Sequence, residues 1–240
     1  EDLPFQAREA INVLRGNIQL SGANLKVIAI TSAVANEGKS SIAFRLTKSL
    51  AGLKKRTLYL DCDIRNSVTM SRYGMGGQVQ GLTEYLCGAA AMNDIVYRTP
   101  DKYMDVILTG AVAPNPSELV SGKLFTLLLD EMRKRYDYII VDTPPINPVI
   151  DGTMIAKRCD GTVMVIESGQ TDRMQAVRAK RQLEYAGIKL LGAVLNKVGA
   201  AKKGYGYGYG YGYGYGYGYG YGEKNQKRSG KKSDKKEAKD

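Results

Sequence analysis

A loop that could cradle phosphate lies at residues 33–40 and has the sequence AVANEGKS. It follows the apolar segment 26–31 and precedes a segment of helical periodicity, which is the context of a Walker A loop. In such a loop the backbone N–H groups and the N-terminal end of the next helix face phosphate oxygens. We expect Lys39 to reach the β- and γ-phosphates of a nucleotide and Ser40 to bind Mg²⁺; the alternative is a chance occurrence of GKS. The predicted nucleotide contacts in this loop are Ala35, Asn36, Glu37, Gly38, Lys39, Ser40 and Ser41.

Asp61 and Asp63 form a second candidate site, because they lie two residues apart where the apolar segment 57–60 ends. Alternate residues of an extended chain point to the same side, so both carboxylates can face one ligand. In an α/β sheet this end of a strand borders the binding crevice. Two acids beside phosphate require a cation, and Mg²⁺ takes one or two carboxylates while keeping water ligands. The alternative is that the two acids only cap a turn.

A third acid, Asp142, ends the apolar segment 138–141 and is followed by a threonine and two prolines. This is the pattern of a Walker B strand, whose acid holds Mg²⁺ directly or through water. A buried strand that merely ends in aspartate is a common alternative, but three strand-end signals in this order favour one shared site. The predicted metal ligands are Ser40, Asp61, Asp63 and Asp142, and the predicted catalytic residues are Lys39, Asp61, Asp63 and Asp142.

Apolar segments alternate with helical periodicity over the first 200 residues, which predicts the elements that must position these side chains. The predicted strands are 26–31, 57–60, 105–108, 138–141, 162–166 and 190–195. The predicted helices are 5–20, 39–51, 123–135, 149–158 and 172–186. Near-continuous Val, Ile and Leu predicts strands that are covered on both faces. The predicted fold class is α/β, a doubly wound and mainly parallel sheet of the P-loop NTPase type with a disordered C-terminal tail.

The composition divides the chain and excludes several kinds of chemistry. Residues 1–201 carry 25 Lys+Arg against 20 Asp+Glu, a net of +5, and residues 202–240 carry 10 against 4, a net of +6. The absence of histidine rules out Ser-His-Asp triads, Cys-His pairs and HExxH zinc sites. Cys62, Cys87 and Cys159 show no CxxC spacing, so we expect neither zinc nor a disulfide framework. With no apolar stretch near 18 residues and no leader-like start, we expect a soluble, cytoplasmic chain.

The Walker A loop, the segment LYLDCDIR at 58–65 and the strand YIIVDTPP at 138–145 resemble, in this order, the bacterial tyrosine kinases of capsule and exopolysaccharide synthesis. The resemblance extends to EAINVLR at 9–15, NPSEL at 115–119 and a tyrosine-rich C-terminus. It implies an ATP- and Mg²⁺-dependent kinase that autophosphorylates its tyrosine cluster between neighbouring protomers. By the same resemblance Asp61 accepts the tyrosine proton, while Ser40, Asp63 and Asp142 arrange Mg²⁺.

The same resemblance implies partners, location and domain roles. It implies a membrane-spanning activator of the polysaccharide co-polymerase type, a cognate tyrosine phosphatase and a homo-oligomer. The organisation matches the separate cytoplasmic form of the kinase, which a partner recruits to the inner face of the membrane. Residues 1–22 then hold an N-terminal helix that is a candidate oligomerisation element, residues 23–200 form the P-loop kinase domain, and residues 201–240 form the disordered tail.

Two positions depart from the family pattern. Ala35 stands where the family often has proline, which leaves the loop less rigid but removes no ligand. The ExxRxxR helix of the family, associated with ring-like self-assembly, has Asn12 at its middle arginine, although Glu9 and Arg15 remain.

Other functions are compatible with the expected fold. One is that of a partitioning or septum-site ATPase of the ParA and MinD kind, and another is that of a non-catalytic ATP-binding switch. Those ATPases carry a signature lysine at the start of a KGGxGK loop, where this chain has Val34. Asn196 ends the segment LLGAVLN, where related P-loop proteins place an asparagine that contacts adenine. A turn at the end of a strand explains Asn196 equally well.

Nine tyrosines alternate strictly with glycine between residues 204 and 222. Alone, this tract could be a sticky low-complexity segment, a strand with its tyrosines on one face, or a stacking surface for single-stranded nucleic acid. Beside a kinase-like site we interpret the tyrosines as phosphoacceptors, and we expect no specific nucleic-acid partner. The predicted acceptors are Tyr205, Tyr207, Tyr209, Tyr211, Tyr213, Tyr215, Tyr217, Tyr219 and Tyr221. The lysine-rich segment 223–240 has no apolar anchor and is predicted to be disordered.

Overall fold

The computed structural model describes residues 3–65 and 79–199 of the 240-residue chain. The predicted phosphoacceptor tyrosines and the lysine-rich end lie outside the described residues, as does the segment 66–78. The described residues nevertheless include every predicted strand, every predicted helix and every predicted residue of the nucleotide site.

Within the described residues, one sheet of seven strands organises the fold. The strands are β1 (Val27–Ser32), β2 (Thr57–Asp61), β3 (Tyr97–Arg98), β4 (Met104–Ile107), β5 (Tyr138–Asp142), β6 (Gly161–Glu167) and β7 (Leu190–Asn196). Their order is β3-β4-β2-β5-β1-β6-β7. All neighbours are parallel except β3 and β4. The mainly parallel, doubly wound sheet is confirmed, and each predicted strand is found within one residue of its bounds; only β3 was not predicted.

Seven α-helices and one short 3₁₀ helix (Met92–Ile95) surround the sheet in the described part of the chain. The α-helices are α1 (Phe5–Leu20), α2 (Lys39–Ala51), α3 (Leu82–Leu86), α4 (Pro116–Ser121), α5 (Lys123–Arg135), α6 (Asp151–Ala156) and α7 (Arg173–Tyr185). The predicted bounds of α1, α2 and α5 are confirmed. The helix predicted at 149–158 is wrong in extent, because only α6 is helical there. The short elements α3, α4 and the 3₁₀ helix were not predicted.

Apolar side chains cover the two faces of the central strands. On β2, Leu58 and Leu60 belong to the same buried cluster as Phe125 of α5, whereas Tyr59 between them packs in the cluster that contains Leu46 of α2. This is the alternation that a strand imposes on neighbouring side chains. The prediction that every strand is covered on both faces is wrong for β7, which lies at the edge of the sheet and leaves Leu195 59% exposed.

Helix α1 packs against α2. Ile11 and Ile18 of α1 are buried in the same apolar cluster as Leu46. The guanidinium of Arg15 donates to the carbonyl oxygen of Ser49 at 3.1 Å and to its hydroxyl at 2.8 Å. Asn12 accepts from the Ser49 hydroxyl at 3.2 Å. These motif positions are therefore used within the chain, and a role for α1 in self-assembly stays a prediction.

No helix in residues 3–65 or 79–199 is long and apolar enough to cross a membrane.

Candidate functional site

The phosphate loop joins β1 to α2 and holds two residues in the left-handed backbone region. Asn36 has φ 67° and Gly38 has φ 91°. This φ at residue 38 favours glycine, and a Cβ atom there would also lie 2.2 Å from Nδ2 of Asn196. Because α2 begins at Lys39, its free N-terminal N–H groups lie at the end of the loop, where they favour an anion.

Lys39 is buried among three carboxylates. Its Nζ lies 2.6 Å from Oδ2 of Asp63 and 3.7 Å from Oδ1 of Asp142. Burial alone would lower the pKa of Lys39, but the charges of Asp142, Asp63 and Asp61 more than offset it and leave the pKa raised. Lys39 therefore stays a cation, and its ammonium also lies 3.5 Å from the Ser40 hydroxyl.

Asp61 and Asp142 lie side by side, because β2 and β5 pair in register at these two residues. Both are almost fully buried. The Tyr59 hydroxyl donates to Oδ2 of Asp142 at 3.0 Å, whereas Oδ1 of Asp142 accepts no hydrogen bond within the described residues. Burial raises the pKa of Asp142 to about 6; Lys39 opposes this shift and Asp61 adds to it. The site thus holds an acid that a nearby cation would stabilise in its ionised form.

A cavity of about 590 Å³ opens beside the phosphate loop. Eight of the predicted site residues line it: Ala35, Asn36, Gly38, Lys39, Ser40, Ser41, Asp63 and Asn196. Asp61 does not line the cavity; its Oδ1 accepts the backbone N–H of Asp63 at 3.1 Å. The structure thus brings the predicted residues together, with Asp63 at the cavity and Asp61 and Asp142 buried behind it. Their individual roles stay predictions.

Glu37 is the predicted nucleotide contact whose side chain turns away from the cavity. Its carboxylate is buried and accepts the backbone N–H groups of Val34 at 2.8 Å and Glu167 at 3.2 Å. It also accepts the Thr171 hydroxyl. Glu37 can therefore contact a nucleotide in this geometry only through its backbone.

Several residues of the site were not predicted from the sequence. The cavity is also lined by Ile42, Arg45, Arg65, Pro144, Pro145, Pro148, Val149 and Lys197. Arg65 pairs with the buried carboxylate of Asp151, which also accepts the hydroxyl of Ser117. The only sequence signal for Arg65 is its place two residues after Asp63. Asp151 and Ser117 are brought to it by tertiary structure alone.

The residues present fit a magnesium ion that is shared with a nucleotide. No group of three or more acidic, cysteine or histidine side chains in residues 3–65 and 79–199 forms a ready-made metal site. Mg²⁺ does not need one, because it is commonly held by one or two carboxylates, substrate phosphates and water. Oδ1 of Asp142, which faces the Lys39 ammonium at 3.7 Å, is a suitable oxygen ligand.

Comparison with known proteins identifies relatives over most of the chain. The sequence profile of the AAA domain family matches residues 25–172. The tyrosine-protein kinase CpsD of Streptococcus agalactiae is 41% identical over 201 residues, which cover 84% of this chain and 88% of that protein.

Solved structures agree with the sequence relatives. The kinase domain of the Escherichia coli tyrosine kinase ETK superposes with a TM-score of 0.77 at 30% identity, covering 85% of this chain and 80% of that one. The septum site-determining protein MinD of Pyrococcus horikoshii, solved with Mg-ADP, gives a TM-score of 0.63 at 20% identity over 74% and 72% of the two chains. At that identity the likeness to MinD concerns the fold alone.

Proposed function

This chain belongs to the bacterial tyrosine kinase family, and from that premise we propose that it transfers the γ-phosphoryl group of ATP to the tyrosines of its own C-terminal segment. We further propose that this modification regulates capsular or exopolysaccharide synthesis. The observation that carries the proposal is the placement of Lys39 between Asp63 and Asp142 at the start of α2, beside a cavity lined by the phosphate loop. Phosphoryl transfer requires positioning and charge stabilisation more than covalent chemistry by the protein, and this site supplies both.

Magnesium would be held by the Ser40 hydroxyl and by the carboxylates of Asp142, Asp63 and Asp61, together with nucleotide phosphates. When bound, the ion would offset the negative charge that develops on the phosphoryl oxygens. The raised pKa of Asp142 is consistent with this role, since a carboxylate that is costly to ionise alone gains from a cation beside it.

We expect the Mg²⁺-dependent affinity for ADP to fall by about tenfold per pH unit below about pH 6, because protonated Asp142 cannot bind the ion. Titrations at fixed Mg²⁺ between pH 5 and 7.5 measure this. Asp142→Asn, which binds weakly throughout, provides the baseline for the titration of ADP itself. Parallel profiles of the two proteins would show that Asp142 is not the titrating group.

The raised pKa of Asp142 also affects the stability of the metal-free fold. Because the unfolded chain loses this proton first, the free energy of unfolding falls as the pH rises from about 3.8 to about 6.

The tyrosine hydroxyl needs a proton acceptor, because its pKa is about 10 and only about one phenol in a thousand is ionised at neutral pH. Following the family resemblance, we propose Asp61 for this role, although it lies behind the cavity lining, so the tyrosine must approach past Asp63. The phenol oxygen forms a bond to the γ-phosphorus while the bond from that phosphorus to the β–γ bridging oxygen breaks. ADP leaves, and the phenolic proton passes to the carboxylate.

Phosphorylation would change the charge of the tail and thereby its contacts. Each phosphate adds about −1.5 to −2, so nine would add roughly −14 to −18 and reverse the net charge of +11. We propose that this change loosens self-association or a contact with an acidic partner. A membrane-spanning activator would recruit the kinase to the membrane, and a cognate phosphatase would restore the tail.

Incubation of the purified chain with ATP and Mg²⁺, followed by mass spectrometry, tests the proposal. We expect phosphate on the residues between Tyr205 and Tyr221. A variant with all nine of these tyrosines replaced by phenylalanine should lose most of the label while binding ADP as before. Size-exclusion profiles of the same samples at matched salt test the effect on self-association.

Mass spectrometry of the chain isolated from its native cells reports phosphorylation that took place in the presence of the proposed activator. Nucleotide binding without phosphotyrosine in either sample would instead favour a non-catalytic switch or a partitioning ATPase. Equal oligomer profiles for the phosphorylated and phenylalanine-substituted chains would contradict the proposed effect of the tail charge.

A further inference from the structure

Two strained backbone positions meet at the phosphate loop. Among the described residues, three that are not glycine have a positive φ: Asn36 (67°), Lys54 (60°) and Lys197 (58°). The Nζ of Lys197, just after β7, donates to the carbonyl oxygen of Asn36 at 2.8 Å. Left-handed backbone is unfavourable for residues that carry a Cβ atom and persists where the surroundings impose it, often at functional sites. One hydrogen bond thus joins two of the three strained residues.

The neighbouring carbonyl of the loop is held from the same strand end. Nδ2 of Asn196 donates to the carbonyl oxygen of Glu37 at 2.9 Å. Consecutive carbonyls of the loop, those of Asn36 and Glu37, are therefore both directed towards the end of β7. In a planar trans peptide the N–H points opposite to the carbonyl. The N–H groups of Glu37 and Gly38 consequently point away from β7 and are free to face an anion.

Residues at the end of β6 bind both Lys197 and the phosphate loop. The carboxylate of Glu167 lies 2.7 Å from Nζ of Lys197 and so holds the ammonium between two acceptors. The backbone N–H of Glu167 and the hydroxyl of Thr171 both bind the buried carboxylate of Glu37. The loop is thus tied to the ends of β6 and β7 by its side chain at Glu37 and by two successive carbonyls.

We propose that Lys197 is a positioning residue for nucleotide phosphate, with Glu167 fixing its ammonium in place. By holding the Asn36 carbonyl, Lys197 keeps the following N–H turned towards the phosphates of ADP or ATP. It is charged, half-exposed and beside the cavity, yet its donor serves the loop backbone. This inference rests on the proposed nucleotide site. It means that Lys197, at the end of β7, contributes to the affinity for phosphate without contacting it.

Lys197→Met tests the inference, since it removes the donor and keeps most of the aliphatic stem. We expect the affinity for ADP to fall about tenfold and that for AMP by less than twofold, because the loop serves mainly the phosphate beyond the first. Calorimetry for ADP and competition for AMP give both values. Lys197→Arg retains donors and should recover most of the affinity. Thermal melting should change by no more than about 2 °C, as for other partly exposed pairs.

Lys180→Met is the matched control, because it breaks another lysine–glutamate pair, with Glu184, that is more exposed and lies on α7, and it should leave both affinities unchanged. Equal losses for ADP and AMP, or no loss at all, would overturn the positioning role of Lys197. Wild-type protein that failed to bind ADP would overturn the proposed function and this inference together. The two failures are therefore distinguishable by the wild-type titration.

Discussion

Lys39→Arg is expected to abolish tyrosine phosphorylation while leaving the protein folded. Arginine keeps the positive charge that the buried carboxylates of Asp63 and Asp142 require, but its planar guanidinium cannot place a compact ammonium on the β- and γ-phosphates. Loss of one preorganised group that stabilises transition-state charge typically lowers the rate by about 10²–10³. The measurement is phosphotyrosine formed per unit time with ATP and Mg²⁺, together with a thermal melt.

Lys39→Met separates charge from geometry. It should also be inactive, but it leaves three buried carboxylates without their cation, which typically destabilises a fold by about 3–5 kcal/mol. Because Lys39 lowers the pKa of Asp142, its removal raises that pKa above about 6, and we expect the loss of stability to shrink as the pH falls towards about 6 and Asp142 takes up a proton. Lys180→Met serves again as a lysine control with full activity. Phosphorylation that survived both Lys39 substitutions would exclude the phosphate loop as the catalytic site.

Asp160→Ala is expected to cause a large loss of stability away from the cavity. One carboxylate oxygen accepts the backbone N–H groups of Lys26 and Val27 at 2.8 Å, and Arg133 donates to both oxygens at 2.8 Å. The substitution leaves these donors without their acceptor at the start of the central strand. We expect a loss of about 3 kcal/mol and a melting temperature lower by about 6–12 °C. Activity at 25 °C should persist, since the site lies at the opposite end of β1.

The matched control is Arg56→Met, which breaks the exposed pair with Asp137 and should change stability by less than about 0.5 kcal/mol. Burial alone would raise the pKa of Asp160, but Arg133 and the two N–H groups more than offset this and lower it. Its stabilisation is therefore present above the pKa of the unfolded chain and is lost as the pH falls through the lower folded value. A variant as stable as wild type at pH 7 would contradict this account.

The sequence was sufficient to predict the central sheet and the residues that meet at its carboxyl edge. The buried strands β1, β2 and β5 appear in the sequence as continuous apolar segments. Parallel packing places their carboxyl ends at the same edge of the sheet. The sequence alone therefore predicts that Lys39, Asp63 and Asp142 belong to one site. The register of β2 and β5, which places Asp61 directly beside Asp142, is seen only in the structure.

What could not be predicted depends on tertiary neighbours. The apolar run of β7 resembles that of a buried strand, but only the strand order shows that it lies at an edge and leaves Leu195 exposed. The inward turn of Glu37 depends on Thr171, which is distant in sequence. One missed element did have a signal: Asn115 followed by Pro116 is a common start for a helix, and α4 begins there.

The register between β2 and β5 also determines what can vary in such an enzyme. Asp61 and Asp142 are neighbours through the backbone of adjacent parallel strands, whose spacing is about 4.8 Å whatever follows them. Segments that begin after Asp63 and Asp142 can therefore lengthen, shorten or exchange sequence without changing the separation of the two strand ends. We expect acceptor choice to diversify in those segments while the two acids keep their places, so this scaffold should tolerate grafted recognition segments.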